Sequence, residues 1–141
     1  QYEGGYGGSI YVYYLSNVTI YDTEFTDNDA LARGGAIYQD YGGVFECFGC
    51  IFNGNHANWG GAIFSEDRNS QTIGTFPVIK SSIFANNYAN TFGGAICWFN
   101  HVDGTLNDNV FLSNYVTDNI DGNGGAIAII NSALNKDESN G

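Results

Sequence analysis

Carboxylates are the groups of this chain with the widest chemical reach, so their spacing is the first thing to test. Asp22, Glu24, Asp27 and Asp29 fall within eight residues of one another. Polysaccharide hydrolysis needs two carboxylates facing each other across a groove, ~5–9.5 Å apart. Lyase chemistry needs clustered acids with a metal and a basic residue. Asp22 and Asp108 occupy equivalent positions in the repeat described below, but Gly49 and Ser81 stand between them, and Glu46 and Arg68 have no equivalents. Solvated acids are the expected reading. Calcium is the other option. The acidic segment from Asp22 and the stretch Asn119-x-Asp121-x-Asn123-Gly124 both offer oxygen ligands. The second lacks the distal bidentate Glu of such a loop, since Ile130 stands at that place. Asp and Asn are also ordinary corner residues.

Three cysteines make no disulfide framework. Cys47 and Cys50 form a lone C-x-x-C, a weak zinc or redox signal without a second pair or suitable histidines. His56 and His101 are isolated. No catalytic, cofactor-binding or metal-binding residue is assigned, and no cofactor is expected. Asn17-Val18-Thr19 is the N-x-Ser/Thr acceptor, which makes Asn17 the glycosylation candidate.

The elements that must position these groups follow from a repeat. Gly-Gly is followed by a small residue and Ile at Gly7, Gly34, Gly60, Gly93 and Gly124, with spacings of 27, 26, 33 and 31 residues. Between these sites lie four Phe-x-x-Asn segments: Phe25 to Asn28, Phe52 to Asn55, Phe84 to Asn87 and Phe111 to Asn114. A fixed period of this size is the mark of stacked supersecondary units. Ten residues after the isoleucine comes the column Ile20, Cys47, Ile79 (after a six-residue insertion) and Leu106. The column Thr23, Cys50, Ser82 and Asn109 lies three residues further on. Segments such as Val18–Tyr21 and Val44–Phe48 alternate at period two and are bounded by Gly, Asn and Asp, as strands are.

These columns predict an all-β, right-handed parallel β-helix filling residues 1–141 as one domain. It should have four to five coils, each of three short strands. The hand follows from that of parallel crossovers. The isoleucine and Phe columns should stack inside, and the four asparagines should form a ladder. Cys47 and Cys50 should fill core slots as thiols. The column of Tyr11, Tyr38, Phe64 and Cys97 should point outward, making these an interface and Cys97 a candidate for an intermolecular bond. Tyr13, Tyr41, Trp59, Phe92 and Trp98 add further aromatic surface for sugars or partners. The insertions within residues 65–76 and 115–123 should project as contact loops. Ile127 and Ile129 end the coil on an apolar strand, a second interface through which copies would join head to tail.

Phe-x-x-Asn followed by Gly-Gly-Ala-Ile resembles the paired repeat of the chlamydial polymorphic outer membrane proteins. It is also similar to the repeats of adhesin-like β-helix proteins of other microbes. The resemblance implies a secreted or surface-displayed β-helix involved in adhesion.

Composition narrows the function. Charged residues are 13% of the chain, about half the share usual for a soluble domain, and the net charge is −11. That charge repels nucleic acid and anionic membrane surfaces. No run of ~18 apolar residues predicts a spanning helix, and no membrane insertion is expected. The start at Gln1 and the absence of Met fit a processed chain or a piece of a longer one. The expected function is a non-catalytic extracellular or cell-surface structural or adhesive protein, a homo-oligomer forming head-to-tail filaments. The partners would include glycans or another cell's surface. The alternatives are a carbohydrate-binding or polysaccharide-cleaving β-helix, or a fragment of a longer surface adhesin.

Overall fold

The computed structural model describes residues 5–68, 74–100, 102–118, 120 and 122–130. The first coil contains β1 (Ile10–Tyr13), β2 (Asn17–Tyr21) and β3 (Glu24–Thr26). The second contains β4 (Ile37–Asp40), β5 (Gly43–Phe48), β6 (Ile51–Asn53) and β7 (His56–Trp59). In the third are β8 (Ile63–Glu66), β9 (Thr75–Lys80), β10 (Ile83–Ala85) and β11 (Tyr88–Phe92). The fourth has β12 (Ile96–Phe99), β13 (Thr105–Asn107), β14 (Val110–Leu112) and β15 (Tyr115–Val116), and β16 (Ile127–Ile130) opens a fifth. Equivalent strands pair in parallel from coil to coil, as in a parallel β-helix.

The coil has four ladders rather than the three expected. The additional ladder, β7, β11 and β15, follows the Asn corner and is short. Its mixed side chains hide it from a period-two search. The signal that marks it is a small or branched apolar residue two after each Asn, namely Ala30, Ala57, Ala89 and Val116. The first three of these are buried.

Corners are made at fixed positions. Asp22, Gly49, Ser81 and Asp108 all have positive φ, and so do Asp27, Gly54, Asn86 and Ser113 at the next corner. Residues with short polar side chains tolerate this left-handed geometry, and glycine adopts it freely. Asp22 and Asp108 therefore share a column in which each turns a corner. The Gly-Gly pair makes the tightest corner. Gly34 has φ +62, and a Cβ there would lie 2.1 Å from the Ile37 carbonyl oxygen. A Cβ on Gly35 would lie 2.0 Å from the Gly61 carbonyl oxygen of the next coil.

The interior follows the columns. Ile37, Ile63, Ile96, Phe52 and Phe84 are all fully buried. Phe25, Phe52, Phe84 and Phe111 stack with centroids 4.9, 4.6 and 4.9 Å apart and rings within 10° of parallel. Cys47 and Cys50 are buried free thiols in this core. The Asn ladder caps one corner. Nδ2 of Asn55 donates to Asn87 Oδ1 at 2.8 Å and to the Phe25 carbonyl at 2.9 Å, while its backbone N–H donates to the same Oδ1 at 3.0 Å. Asn28 and Asn87 repeat the step toward Asn55 and Asn114. A second ladder runs through Cys50, Ser82 and Asn109: the Cys50 N–H donates to Ser82 Oγ and the Ser82 N–H to Asn109 Oδ1. The thiol of Cys50 points to the Phe48 carbonyl, as the hydroxyls of Thr23 and Ser82 point to Tyr21 and Lys80. Cys50 thus takes a hydroxyl's place at a corner.

Replacing a fully buried, doubly stacked ring tests this register. Phe84→Ala should cost about 3–5 kcal/mol, measured as a fall in the denaturant midpoint. A near-neutral result would disprove the Phe column.

Candidate functional site

The outer face of the first ladder is not a free surface. Tyr38, Phe64 and Cys97, expected to point into solvent, have 0% exposure and form a second apolar cluster with Ala128. Only Tyr11 of that column is open to solvent, at 49%. The reason lies one step upstream. Residues preceding each Gly-Gly, Tyr6, Trp59 and Phe92 among them, pack over the column from the side. Tyr6 stacks on Tyr38 at 4.9 Å, and Trp59 meets Phe92 and Phe99 at 4.9 and 5.4 Å. Cys97 is sealed in this layer, and burial pushes its thiol up to about 12 against the pull of Arg33. It cannot make the intermolecular bond expected of it.

Two acids sit in this layer. Asp40 ends β4 and Glu66 ends β8, in the column that also holds Tyr13 and Phe99. Asp40 is fully buried and Glu66 is 2% exposed. Arg33, just ahead of Gly34, donates from Nη1 to Glu66 Oε1 at 2.6 Å. Arg68, just beyond β8, lies with Nε 2.8 Å from Glu66 Oε1 and 3.1 Å from Asp40 Oδ2. The Tyr38 hydroxyl contacts Glu66 Oε1 and Arg68, and lies 3.1 Å from Asp40 Oδ2. The Tyr41 N–H donates to Asp40 Oδ1 at 2.8 Å. Both guanidiniums also cover rings: Arg33 lies over Trp59 and Phe64, and Arg68 over Tyr6 and Tyr38.

Electrostatics follow from burial. Burial and then the neighbouring Glu66 raise Asp40 to about 6, although Arg68, Tyr38 and the Tyr41 N–H favour its ionised form. Burial and then Glu66 push the Tyr38 hydroxyl far above its ordinary range, so it stays protonated. Burial works against the charge on Arg68, but Glu66 and Tyr38 outweigh it and hold the guanidinium charged. Tyr11, at the edge of the cluster, is raised to about 12 by burial and by Asp40. Both carboxylates are buried, and Glu66 Oε1 and the two Asp40 oxygens are engaged by arginine and tyrosine groups. What this arrangement can do is hold charge in a fixed place and lock two coils together.

The sequence passes over this cluster because Asp40 and Glu66 are of different length and 26 residues apart. The signal was there: each lies three residues after a Gly-Gly-Ala-Ile isoleucine.

Other candidates lie elsewhere. Asn17 is exposed at the start of β2, with its Oδ1 accepting the Val44 N–H at 3.3 Å. Thr19 of the same triplet donates to Glu46 Oε2 at 3.0 Å. Ile127 is half-buried and Ile129 is 59% exposed. Asp29 lies 2.9 Å from His56 Nδ1, and His56 stacks on Tyr88. Among the described residues no three His, Cys, Asp or Glu side chains converge on a metal-sized site. Asn119, Asp121 and His101 lie outside the described residues. In the two insertions, Ser65 and Glu66 belong to β8, Thr75 and Phe76 to β9, and Tyr115 and Val116 to β15. Residues 69–73 lie outside the described residues, as do 119 and 121.

The model of the Chlamydia polymorphic membrane protein repeat matches residues 22–40, 49–66 and 81–97. Residues 22–97 thus carry three copies of this repeat. Each match runs from the left-handed corner before the Phe through the Asn and Gly-Gly corners into the Ile strand. The repeat family is one of surface-associated membrane proteins. Comparison with curated proteins and with solved structures gives no match.

The acid pair makes a testable prediction. Glu66→Gln leaves two guanidiniums without their shared carboxylate and should cost about 3–5 kcal/mol. Asp40 behaves differently. Its folded value, about 6, lies above the ~3.9 of an unfolded Asp, so the folded state holds the extra proton between the two. This group's stabilisation is complete below about pH 4 and declines as the pH rises, and it is gone above about pH 6. Asp40→Asn should therefore flatten the fall in stability from pH 4 to 6 relative to the parent. Denaturant titrations of both chains across that range would show it, and parallel curves would disprove the assignment.

Proposed function

We propose that this chain is a non-catalytic structural or adhesive coil displayed outside the cell, and that copies join end to end. The observation that carries the assembly reading is the outer edge of β16, which pairs with no further strand among the described residues. A Cβ on Gly8, Gly35, Gly61 or Gly94 would lie 2.0–2.2 Å from the carbonyl oxygen of the next Gly-Gly pair. On Gly125 it would meet nothing closer than 4.0 Å among the described residues. Below that edge, Leu106 and Phe111 are only half-buried, and Val110, Leu112 and Tyr115 are exposed. A further coil fits here. In an in-register joint, β1 of the next copy would stack on β16, with its Gly7-Gly8 corner over Gly124-Gly125. The sealed state of Asp40 and Glu66 supports the non-catalytic part of the reading.

A carbohydrate-binding role is the second reading. Tyr11, Tyr13 and Tyr14 are exposed neighbours, with ring centroids 5.5 and 6.1 Å apart. Flat aromatic faces of this kind bind sugars, and a glycan on Asn17 would sit nearby in sequence.

The open space at Gly125 gives a clean experiment. Gly125→Val should leave the melting temperature unchanged and abolish concentration-dependent growth in light scattering, because the joint has no room for a side chain. Unassociated wild-type chain at high concentration, or growth unaffected by the valine, would overturn the assembly. Retention of the wild-type chain on neutral or acidic polysaccharide, lost on changing Tyr13, would favour the second reading.

A further inference from the structure

The outward face of the third ladder carries an apolar stripe that the sequence reading did not single out. Ile51, Ile83 and Val110 stand in register on three successive coils and are 38%, 40% and 47% exposed. Leu112, in the neighbouring outward column, is 54% exposed. Across the corner, Tyr21 is exposed and stacks on Phe48 at 5.3 Å. Val110 and Leu112 also border the coil end, whereas Ile51, Ile83, Tyr21 and Phe48 belong neither to the core, nor to the acid cluster, nor to that end.

Charge narrows what could cover it. The two outward columns are Glu24, Ile51, Ile83, Val110 and Thr26, Asn53, Ala85, Leu112, so one residue in eight is charged. In a chain of net charge −11, this is a face where another anionic molecule can approach without facing a row of carboxylates. A basic partner would be drawn to acid-rich surface instead. At the corner beside Ile83 stands Lys80, with Nζ 5.9 Å from the Phe48 ring centre. Arg33 and Arg68 both pair with Glu66. Among the described residues Lys80 is the cation without a carboxylate partner. Among the described residues the stripe thus has an acid without a cation partner at its first coil, Glu24, whose Oε1 accepts only the Thr26 hydroxyl, and a cation without a carboxylate partner at its third.

We propose that this face is a side-by-side interface between two copies of the chain, related by a two-fold axis that lies in the interface plane, parallel to the strands. An axis passing between β6 and β10 sets Ile51 of each copy against Ile83 of the other. Coils are ~4.8 Å apart, so Glu24 of one copy comes within one coil of the level of Lys80 on the other. A two-fold contact uses the same patch on both molecules and closes on itself. It is therefore distinct from the open end-to-end joint, and does not depend on that joint existing.

Sedimentation equilibrium in the Gly125→Val background, which silences the coil end, tests it. That chain should behave as a concentration-dependent dimer. Ile83→Asp should weaken the dimer by about 30-fold or more, the size expected for a central apolar anchor, with an unchanged melting temperature because the side chain is partly exposed. Glu24→Lys and Lys80→Glu should each weaken it, and the double exchange should restore it. Both are surface changes that leave the fold alone. A Gly125→Val chain that stays monomeric, a dimer indifferent to Ile83→Asp, or a double exchange that fails to recover affinity would each overturn the proposal.

Discussion

The contact on which everything else rests is the passage of one coil's backbone over the second glycine of the coil beside it. The carbonyl oxygen arrives about where a Cβ would be, 2.0 Å from it at Gly35 and 2.1 Å at Gly61. Any side chain there would push the coils apart at that corner. Parallel ladders need their full set of coil-to-coil hydrogen bonds, so a local separation would open all four. With the glycines in place, every column is brought into register. The Phe rings then stack face to face, and each Asn meets the backbone and amide of its neighbour. Most of the core's specificity is thus inherited from one corner in which nothing but hydrogen fits.

Register also explains why so few charged residues suffice. A β-helix satisfies its backbone by pairing each strand above and below, and it satisfies the corners with Asn, Ser, Thr and Cys side chains. Charge is then free to be concentrated. Both arginines of the chain are committed to one glutamate, and each also covers an aromatic ring. Desolvating two acids in adjacent coils is costly. Here the cost is offset by arginines that bring apolar stems and flat faces as well as charge. The outcome is a second layer outside the coil, joined to the first through the strand they share.

That layer separates this molecule from a bare solenoid. The Ile, Phe and Asn columns of the coil repeat almost without change, whereas the outer layer is different at every level. Tyr38, Phe64, Cys97 and Ala128 succeed one another along it, and acids replace aromatics at two levels only. Repetition serves the fold, and departures from it mark where the chain has a character of its own. The apolar stripe of the third ladder follows the same logic on another side of the coil.

The sequence by itself determined the solenoid: the Gly-Gly and Phe-x-x-Asn columns specify the corners, the inward face of three ladders and the Asn ladder. These are legible because a repeated coil places equivalent residues in equivalent environments, so each column is read several times over. The fourth ladder was half legible, its inward Ala30, Ala57 and Ala89 being regular while the rest of it is mixed. Only the tertiary structure decided which outward columns meet water. Tyr38, Phe64 and Cys97 lie on the face that strand alternation assigns to solvent, and alternation is correct about the face. It cannot register that Tyr6, Trp59 and Phe92, from the preceding corner, fold back over it. The same holds for Asp40 and Glu66, which become a pair because stacking brings together residues far apart in the chain. Inward positions depend on local period alone, while outward ones depend on what else the fold lays across them.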